Sequence, residues 1–296
     1  VRSKISLFTN VPEDSVVNGL DVESVYEVPL MFHQENLDNI IMTYLQMWTG
    51  SPKLQPWIDL IEKYNNPQDN VDIAFIGKYV THLDSYESLK EALLHGGIAN
   101  RLKVNLHYID SELLTPENAF EQLENMDGVL VAPGFGERGM EGKISAIQIA
   151  RTGKIPFFGI CLGMQMAIIE FARNVVGIEG ANSGESRPDH KENVIDLMPE
   201  QKGHQETGGT MRLGSQITVL KKESRIAMIY NKTTISERHR HRYEVMNEFV
   251  PKLEEAGLKI SGRHPERNLV ETIELSEHPW FIGCQYHPCL LYTSPS

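Results

Sequence analysis

The period of hydrophobic and polar positions changes along the chain, and the change divides it. Residues 4–11, KISLFTNV, read as a strand, residues 22–29, VESVYEVP, as a turn-rich stretch, and residues 33–47 carry helical spacing. A further short amphipathic helix is predicted over residues 57–64. The following NNPQDN, residues 65–70, is polar, contains proline and has no period, which marks a linker.

Beyond residue 70, short apolar runs alternate with helical segments. Strands are predicted over residues 71–79, 103–110, 127–134 and 155–160. Helices are predicted over 86–95, ended by the Gly96-Gly97 pair, over 116–123 behind a Thr115 cap, and over 144–151 and 162–173. This alternation implies an α/β fold: a mostly parallel sheet with right-handed crossovers and helices on both faces. Ligands then gather at the C-terminal ends of the strands. Residues 210–286 form shorter runs richer in β-formers and predict antiparallel additions, the last being the buried strand FIGCQY at residues 281–286.

Composition narrows the class. The 296 residues are 41% hydrophobic and 23% charged, as in ordinary globular proteins. No apolar run approaches the roughly 20 residues a membrane helix needs, and no signal-peptide pattern is present, so a cytoplasmic, membrane-free protein is expected. A net charge of −12 argues against a nucleic-acid partner, which requires clustered positive potential. Three cysteines, at 161, 284 and 289, are too few and too scattered for a disulfide framework or a zinc site. No metal is expected, and a catalytic thiol becomes the question.

The segment FFGICLGMQMA supplies one. Gly159-Ile160-Cys161-Leu162-Gly163 places a thiol between two glycines where a strand turns into a helix. This is the cysteine form of the G-x-S-x-G elbow, in which a strained turn presents the nucleophile and the glycines remove colliding side chains. The helix N-terminus and a nearby histidine are expected to push Cys161 toward thiolate, leaving the Leu162 N–H for an oxyanion. The plainer alternative, that Cys161 is a small buried apolar residue, leaves the strained turn unexplained.

Three further stretches could complete a site. VAPGFGERG, residues 131–139, follows a strand and could offer backbone N–H groups to an oxyanion, although alone it reads as a tight connection. His287, at the end of the last apolar strand, could serve as the base. In SERHRHRYEV, residues 236–245, a strand would put Arg238, Arg240 and Arg242 on one face and His239 and His241 on the other. An arginine of that run could bind a carboxylate, against the alternative of a mixed solvated face.

With Gly159-Ile-Cys-Leu-Gly-Met-Gln165 and His287-Pro288, the chain resembles the class I glutamine amidotransferases. GKY at 77–79, SYESLKEALLHGG, APGFGERGMEGK, ANSGES, GGTMRLG, ERHRHRYEV and HPWFIGCQYHP resemble more narrowly the glutaminase half of the CTP synthases. VYEVPLMFHQENLD resembles the tail of the synthetase half in that family. The resemblance implies a flavodoxin-like core, with residues 1–50 a synthetase remnant, 51–70 a helix and linker, and 71–288 the amidotransferase domain.

It also implies roles. Cys161 would attack the side-chain amide of L-glutamine to form a thioester, and His287 would act as base and then acid. Gly134 and Leu162 would hold the oxyanion. Gly163, Met164 and Gln165 would help to bind glutamine, with Glu185 on its ammonium and Arg242 on its carboxylate. No cofactor is implied for this half. ATP with Mg2+, UTP and the activator GTP belong to the synthetase half, and the full-length family member is a homo-oligomer.

Three stretches depart from the family pattern. Ala132 precedes Pro133-Gly134-Phe135-Gly136 where the family has Pro-Gly-Gly-Phe-Gly, and Asn182-Ser183-Gly184-Glu185-Ser186 replaces Asn-Ser-Thr-Glu-Phe. Cys289 stands where the family has the triad glutamate. The closing octapeptide CLLYTSPS, residues 289–296, reads as a non-native tail, the in-frame translation of a sequencing adapter, on a chain that is a fragment at both ends. A missing acid predicts a poor catalyst and motivates an alternative, a catalytically silent regulatory or assembly module with the same fold.

Overall fold

A computed structural model describes residues 1–48, 50–78, 80, 83–198, 201 and 211–288. Of the stretches singled out above, Tyr79, residues 208–210 and residues 289–296, including Cys289, lie outside the described residues. The chain divides into two compact units, one of Val1–Asn70 with Leu94–Lys103, the other of Val71–Leu93 with the chain from Val104 on.

The first unit is helical. Residues 4–11, expected as a strand, instead fall largely in helix α1 (Arg2–Thr9). The alternation of Ile5 and Leu7 suggested a strand, but a strand needs a neighbour for its N–H and C=O groups, and a helix closes those bonds within itself. The helical stretch expected over 33–47 is two helices, α2 (Val28–Gln34) and α3 (Leu37–Tyr44). Asn36 between them takes φ 64°, a left-handed conformation that asparagine tolerates and that breaks the ladder. Helix α4 (Gln55–Asn65) contains the short helix expected there. The Tyr26 hydroxyl pairs with His95 Nε2 at 2.7 Å, and its ring lies 6.1 Å from that of Tyr64.

The chain continues through β1 (Asp69–Gly77), α5 (Glu87–Asn100), β2 (Leu102–Asp110), α6 (Ala119–Leu123), β3 (Gly128–Val131), α7 (Met140–Gly153), β4 (Phe157–Ile160) and α8 (Leu162–Phe171). Helix α5 does not stop at Gly96-Gly97 but runs through them, because Gly97 and Ile98 are buried and packing outweighs the roughly 1 kcal/mol that a helical glycine costs. Helix α6 begins three residues later than expected. Asn118, rather than Thr115, organises the turn, its Oδ1 accepting the Thr115 N–H at 2.8 Å.

Then follow β5 (Asn182–Ser183), β6 (Asn193–Asp196), β7 (Arg212–Leu220), α9 (Arg225–Tyr230), β8 (Thr234–His241), β9 (Glu244–Val245), α10 (Val250–Glu255), β10 (Leu258–Arg263), β11 (Val270–Leu275) and β12 (Phe281–Cys284). Among the described residues nine strands form one sheet in the order β2-β1-β3-β4-β12-β11-β10-β7-β8. The pairs β1/β3, β3/β4 and β4/β12 are parallel, and the far side, from β11 to β8, is antiparallel. A small second sheet joins β5, β6 and β9.

Strand periodicity separates two cores. Ala74, Ile76, Val129 and Val131 face one side with α6, α7, α8 and α10, while Phe75, Leu130, Ile160 and Ile282 face the other with α9. Helices therefore cover both faces, as the α/β reading predicts. Helix α8 has every residue buried. Glu170 in it is clamped by Arg151 of α7, Nε and Nη2 donating to the two carboxylate oxygens at 2.8 and 2.7 Å.

Candidate active site

The site lies where β4 and β12 end side by side. Cys284 of β12 is in register with Ile160 of β4, so Cys161 and the segment leading to His287 leave neighbouring strands at the same edge. The Cys161 N–H donates to the Cys284 carbonyl at 2.7 Å, and the Cys161 carbonyl accepts the Gln165 N–H at 3.1 Å, starting α8. Between these bonds Cys161 is held at φ 54° and ψ −104°, a strained conformation for a residue with a side chain. The flanking glycines make the turn possible. A Cβ on Gly163 would collide with the Val131 carbonyl oxygen, and one on Gly159 would lie 2.8 Å from Gly163 backbone.

Cys161 is not the free thiolate that its helix N-terminus suggested. Burial pushes its thiol up to about 12, against the opposing Leu162 N–H, and the charges of Glu185 and Glu244 add to the rise. The helix terminus is outweighed because Cys161 is 3% exposed and the charges of Glu185 and Glu244 oppose its ionisation. The sulfur accepts a hydrogen bond from Gln285 Nε2 at 3.6 Å. Gln285 Oε1 in turn accepts from Gln165 Nε2, which also donates to the Tyr243 carbonyl, both at 3.0 Å.

None of the sequence motifs singles out Gln285, although the period of two past β12 puts it on the face that carries His287. Gln165, expected to bind ligand, spends its side chain on this bridge. Gly163 and Met164 are packed into the core, Met164 against Gly283.

His287 is fixed through its backbone, its N–H donating to the Arg238 carbonyl at 2.8 Å. Burial and the charges of Arg238 and Arg240 lower the imidazole to about 4, so it is neutral at physiological pH, the form a base requires. Its Nε2 is buried and has no hydrogen-bond partner among the described residues.

The glycine loop closes another side. A Cβ on Gly134 would touch Lys78, Leu162 and Lys143 at 3.5, 3.7 and 3.8 Å, so this residue lies over the start of α8. Two positions on, the Gly136 N–H donates to Glu185 Oε1 at 2.6 Å. The charge of Glu185 also acts on Cys161 and on Tyr243, whose side chain hydrogen-bonds Arg242. The structure thus gathers Cys161, Gly134, Leu162, Gln165 and Glu185 around one centre, with Arg242 joined to it through Tyr243 and His287 at the adjoining strand end.

The strand expected over 236–245 holds its alternation only to His241, and Arg242 lies beyond β8 rather than on the face of Arg238 and Arg240. The other face is a buried network, not a solvated one. Arg212 donates to Glu244 at 3.1 Å and to Glu271 at 2.8 Å. His241 Nδ1 faces the Tyr243 carbonyl at 3.1 Å and must donate to it, leaving its Nε2 to accept from His239 Nδ1 at 2.9 Å. Among the described residues no group of three or more His, Cys, Asp or Glu could hold a metal ion. No helix among them is long and apolar enough to cross a membrane.

Residues 81–291 match the family "Glutamine amidotransferase class-I", and residues 1–47 match "CTP synthase N-terminus". A CTP synthase of Syntrophus aciditrophicus is 51% identical over 288 residues, covering 97% of this chain and 54% of the relative. One of Geobacter metallireducens is 52% identical over 289 residues, with the same two coverages. The chain thus spans about half the length of the curated relatives it matches. Among solved structures, the glutaminase domain of Trypanosoma brucei CTPS with bound acivicin matches at TM-score 0.69 and 39% identity, over 74% of this chain and 86% of that one. The chain belongs to the class I glutamine amidotransferases, in the CTP synthase branch of that family.

Proposed function

We propose that the second unit hydrolyses L-glutamine through a thioester on Cys161. The observation that carries this reading is the strained Cys161 at the end of β4, beside the strand end bearing His287 and beneath the Gly134 loop. His287 takes the thiol proton as sulfur attacks the side-chain carbonyl carbon, and negative charge develops on the amide oxygen. Backbone at Gly134 and the Leu162 N–H meet that oxygen. Collapse breaks the carbon–nitrogen bond, and His287 returns its proton to the departing ammonia. Water, deprotonated by His287, then attacks the thioester and releases glutamate and the thiol. Glu185 and Arg242 hold the ammonium and carboxylate of the amino acid.

In the whole protein the ammonia serves ATP-dependent amination of UTP to CTP by a synthetase domain, of which residues 1–50 are the tail and residues 51–70 the connection. ATP, Mg2+ and the activator GTP belong to that larger, homo-oligomeric, cytoplasmic protein, and the glutaminase unit needs no cofactor. Acivicin, bound by the trypanosomal domain, is expected to modify Cys161.

A second reading, a catalytically silent module, is favoured by Cys289 at the acid position and by the raised thiol. Ammonia release from glutamine decides between them. The chain as it stands is expected to be slow, Cys289→Glu to raise the rate by roughly 100-fold or more through an oriented base, and Cys161→Ser to abolish it. Equal rates with and without the Cys289→Glu substitution would remove the orienting-acid argument. Activity surviving in Cys161→Ser would remove the thioester.

A further inference from the structure

Lys143, in the first turn of α7, is absorbed by none of the steps above. Its side chain is 0% exposed, and Nζ has no hydrogen-bond partner among the described residues. A buried ammonium without a partner is costly, and strongly perturbed groups of this kind cluster at functional sites. The charges that act on it belong to Lys78 after β1, Asp110 at the end of β2, Cys161 at the turn into α8, and Glu185 after β5. Nζ lies 3.8 Å from the position a Cβ on Gly134 would occupy. It is thus aimed at the underside of the loop where the proposed oxyanion forms.

We propose that Lys143 is a positioning residue whose buried ammonium, acting through the Gly134 loop, supplies the positive field in which the Cys161 thiolate and the oxyanion form. Burial, reinforced by the charge of Lys78, lowers Lys143 to about 8, while Cys161, Glu185 and Asp110 favour its charged form. The cation is therefore available at neutral pH and lost just above it. Each unit of thiol pKa carries a tenfold change in thiolate at a given pH, so the loss is visible in the reactivity of Cys161.

The proposal rests on the glutaminase reading for its purpose but not for its test. Alkylation of Cys161 by iodoacetamide, located by peptide mass spectrometry, is followed from about pH 6.5 to 10. In the unmodified protein the rate should climb with pH and bend toward a plateau near pH 8, where Lys143 loses its proton. Lys143→Met should be about tenfold slower below the bend and show no bend. Lys143→Arg should keep the neutral-pH rate and also lack the bend, since arginine does not titrate there.

Thermal unfolding separates a structural role, because removing an unpartnered buried charge should raise the midpoint of Lys143→Met. An unchanged alkylation profile in Lys143→Met, or a lowered midpoint with no kinetic effect, overturns the proposal. Should that variant fail to fold, a straight profile through pH 8 in the unmodified protein overturns it alone. A bend in a Cys289→Glu protein that still releases no ammonia would support Lys143 and sink the glutaminase reading.

Discussion

The carboxylate of Glu185 accepts the backbone N–H of Gly136 at 2.6 Å, tying the residue expected to bind the glutamine ammonium to the loop expected to hold the oxyanion. Glu185 then has two tasks, charge complementarity to substrate and placement of Gly134. Glu185→Gln keeps an acceptor for Gly136 and removes the charge. It should raise KM by roughly 10- to 100-fold, the worth of a hydrogen bond to a charged group, with a smaller change in kcat. Glu185→Ala should lower kcat as well. Steady-state kinetics check both, and an unchanged KM in Glu185→Gln would remove the ammonium role.

The bidentate clamp of Arg151 on Glu170 fastens the helix that follows Cys161 to α7. Glu170 is 0% exposed, so Arg151→Ala leaves a buried carboxylate without its charge partner. It should cost about 3 kcal/mol of stability, read by denaturant unfolding. Arg151→Lys should recover only part, having a point charge in place of a fork. A loss no larger than that of an exposed surface pair would show that α8 is held by packing alone.

The buried network around Arg212 sets a pH dependence with a definite sign. Burial raises Glu244 to about 8 and Glu271 to about 7, from 4.5. Their contribution is complete below 4.5 and lost as pH rises through 7 to 8, because the unfolded chain has released protons that the native state keeps. His239, His241 and His287 are lowered by burial to about 2, 3 and 4, from 6.5. Their contribution is complete above 6.5 and lost as pH falls. The unfolding midpoint should therefore fall between pH 6.5 and about 8, and Glu244→Gln should reduce that fall. A midpoint that rises across this window would contradict the assignment.

Much of the site was legible because its requirements are backbone requirements. The Gly159 and Gly163 positions, each crowded by main chain, leave a mark that no surface pattern imitates. The alternation of Phe75 and Ile76, or of Leu130 and Val131, marks a two-faced sheet because neighbouring residues enter different cores. What escaped depended on distant partners. Residues 4–11 alternate like a strand but form a helix, and Gly96-Gly97 reads as a stop although burial of Gly97 carries α5 onward. Lys143 reads as an ordinary helix lysine within MEGKISAIQIA. Only the fold buries it, and the same burial reverses the expected lowering of the Cys161 thiol.

The most direct test is covalent mapping with a glutamine-mimicking electrophile on the full chain carrying Cys289→Glu. One adduct is expected, on Cys161, whose formation L-glutamine suppresses and Cys161→Ser abolishes. A Cys161 that stays unmodified, or a label on Cys284 that glutamine does not suppress, would contradict a glutamine-hydrolysing centre at the end of β4.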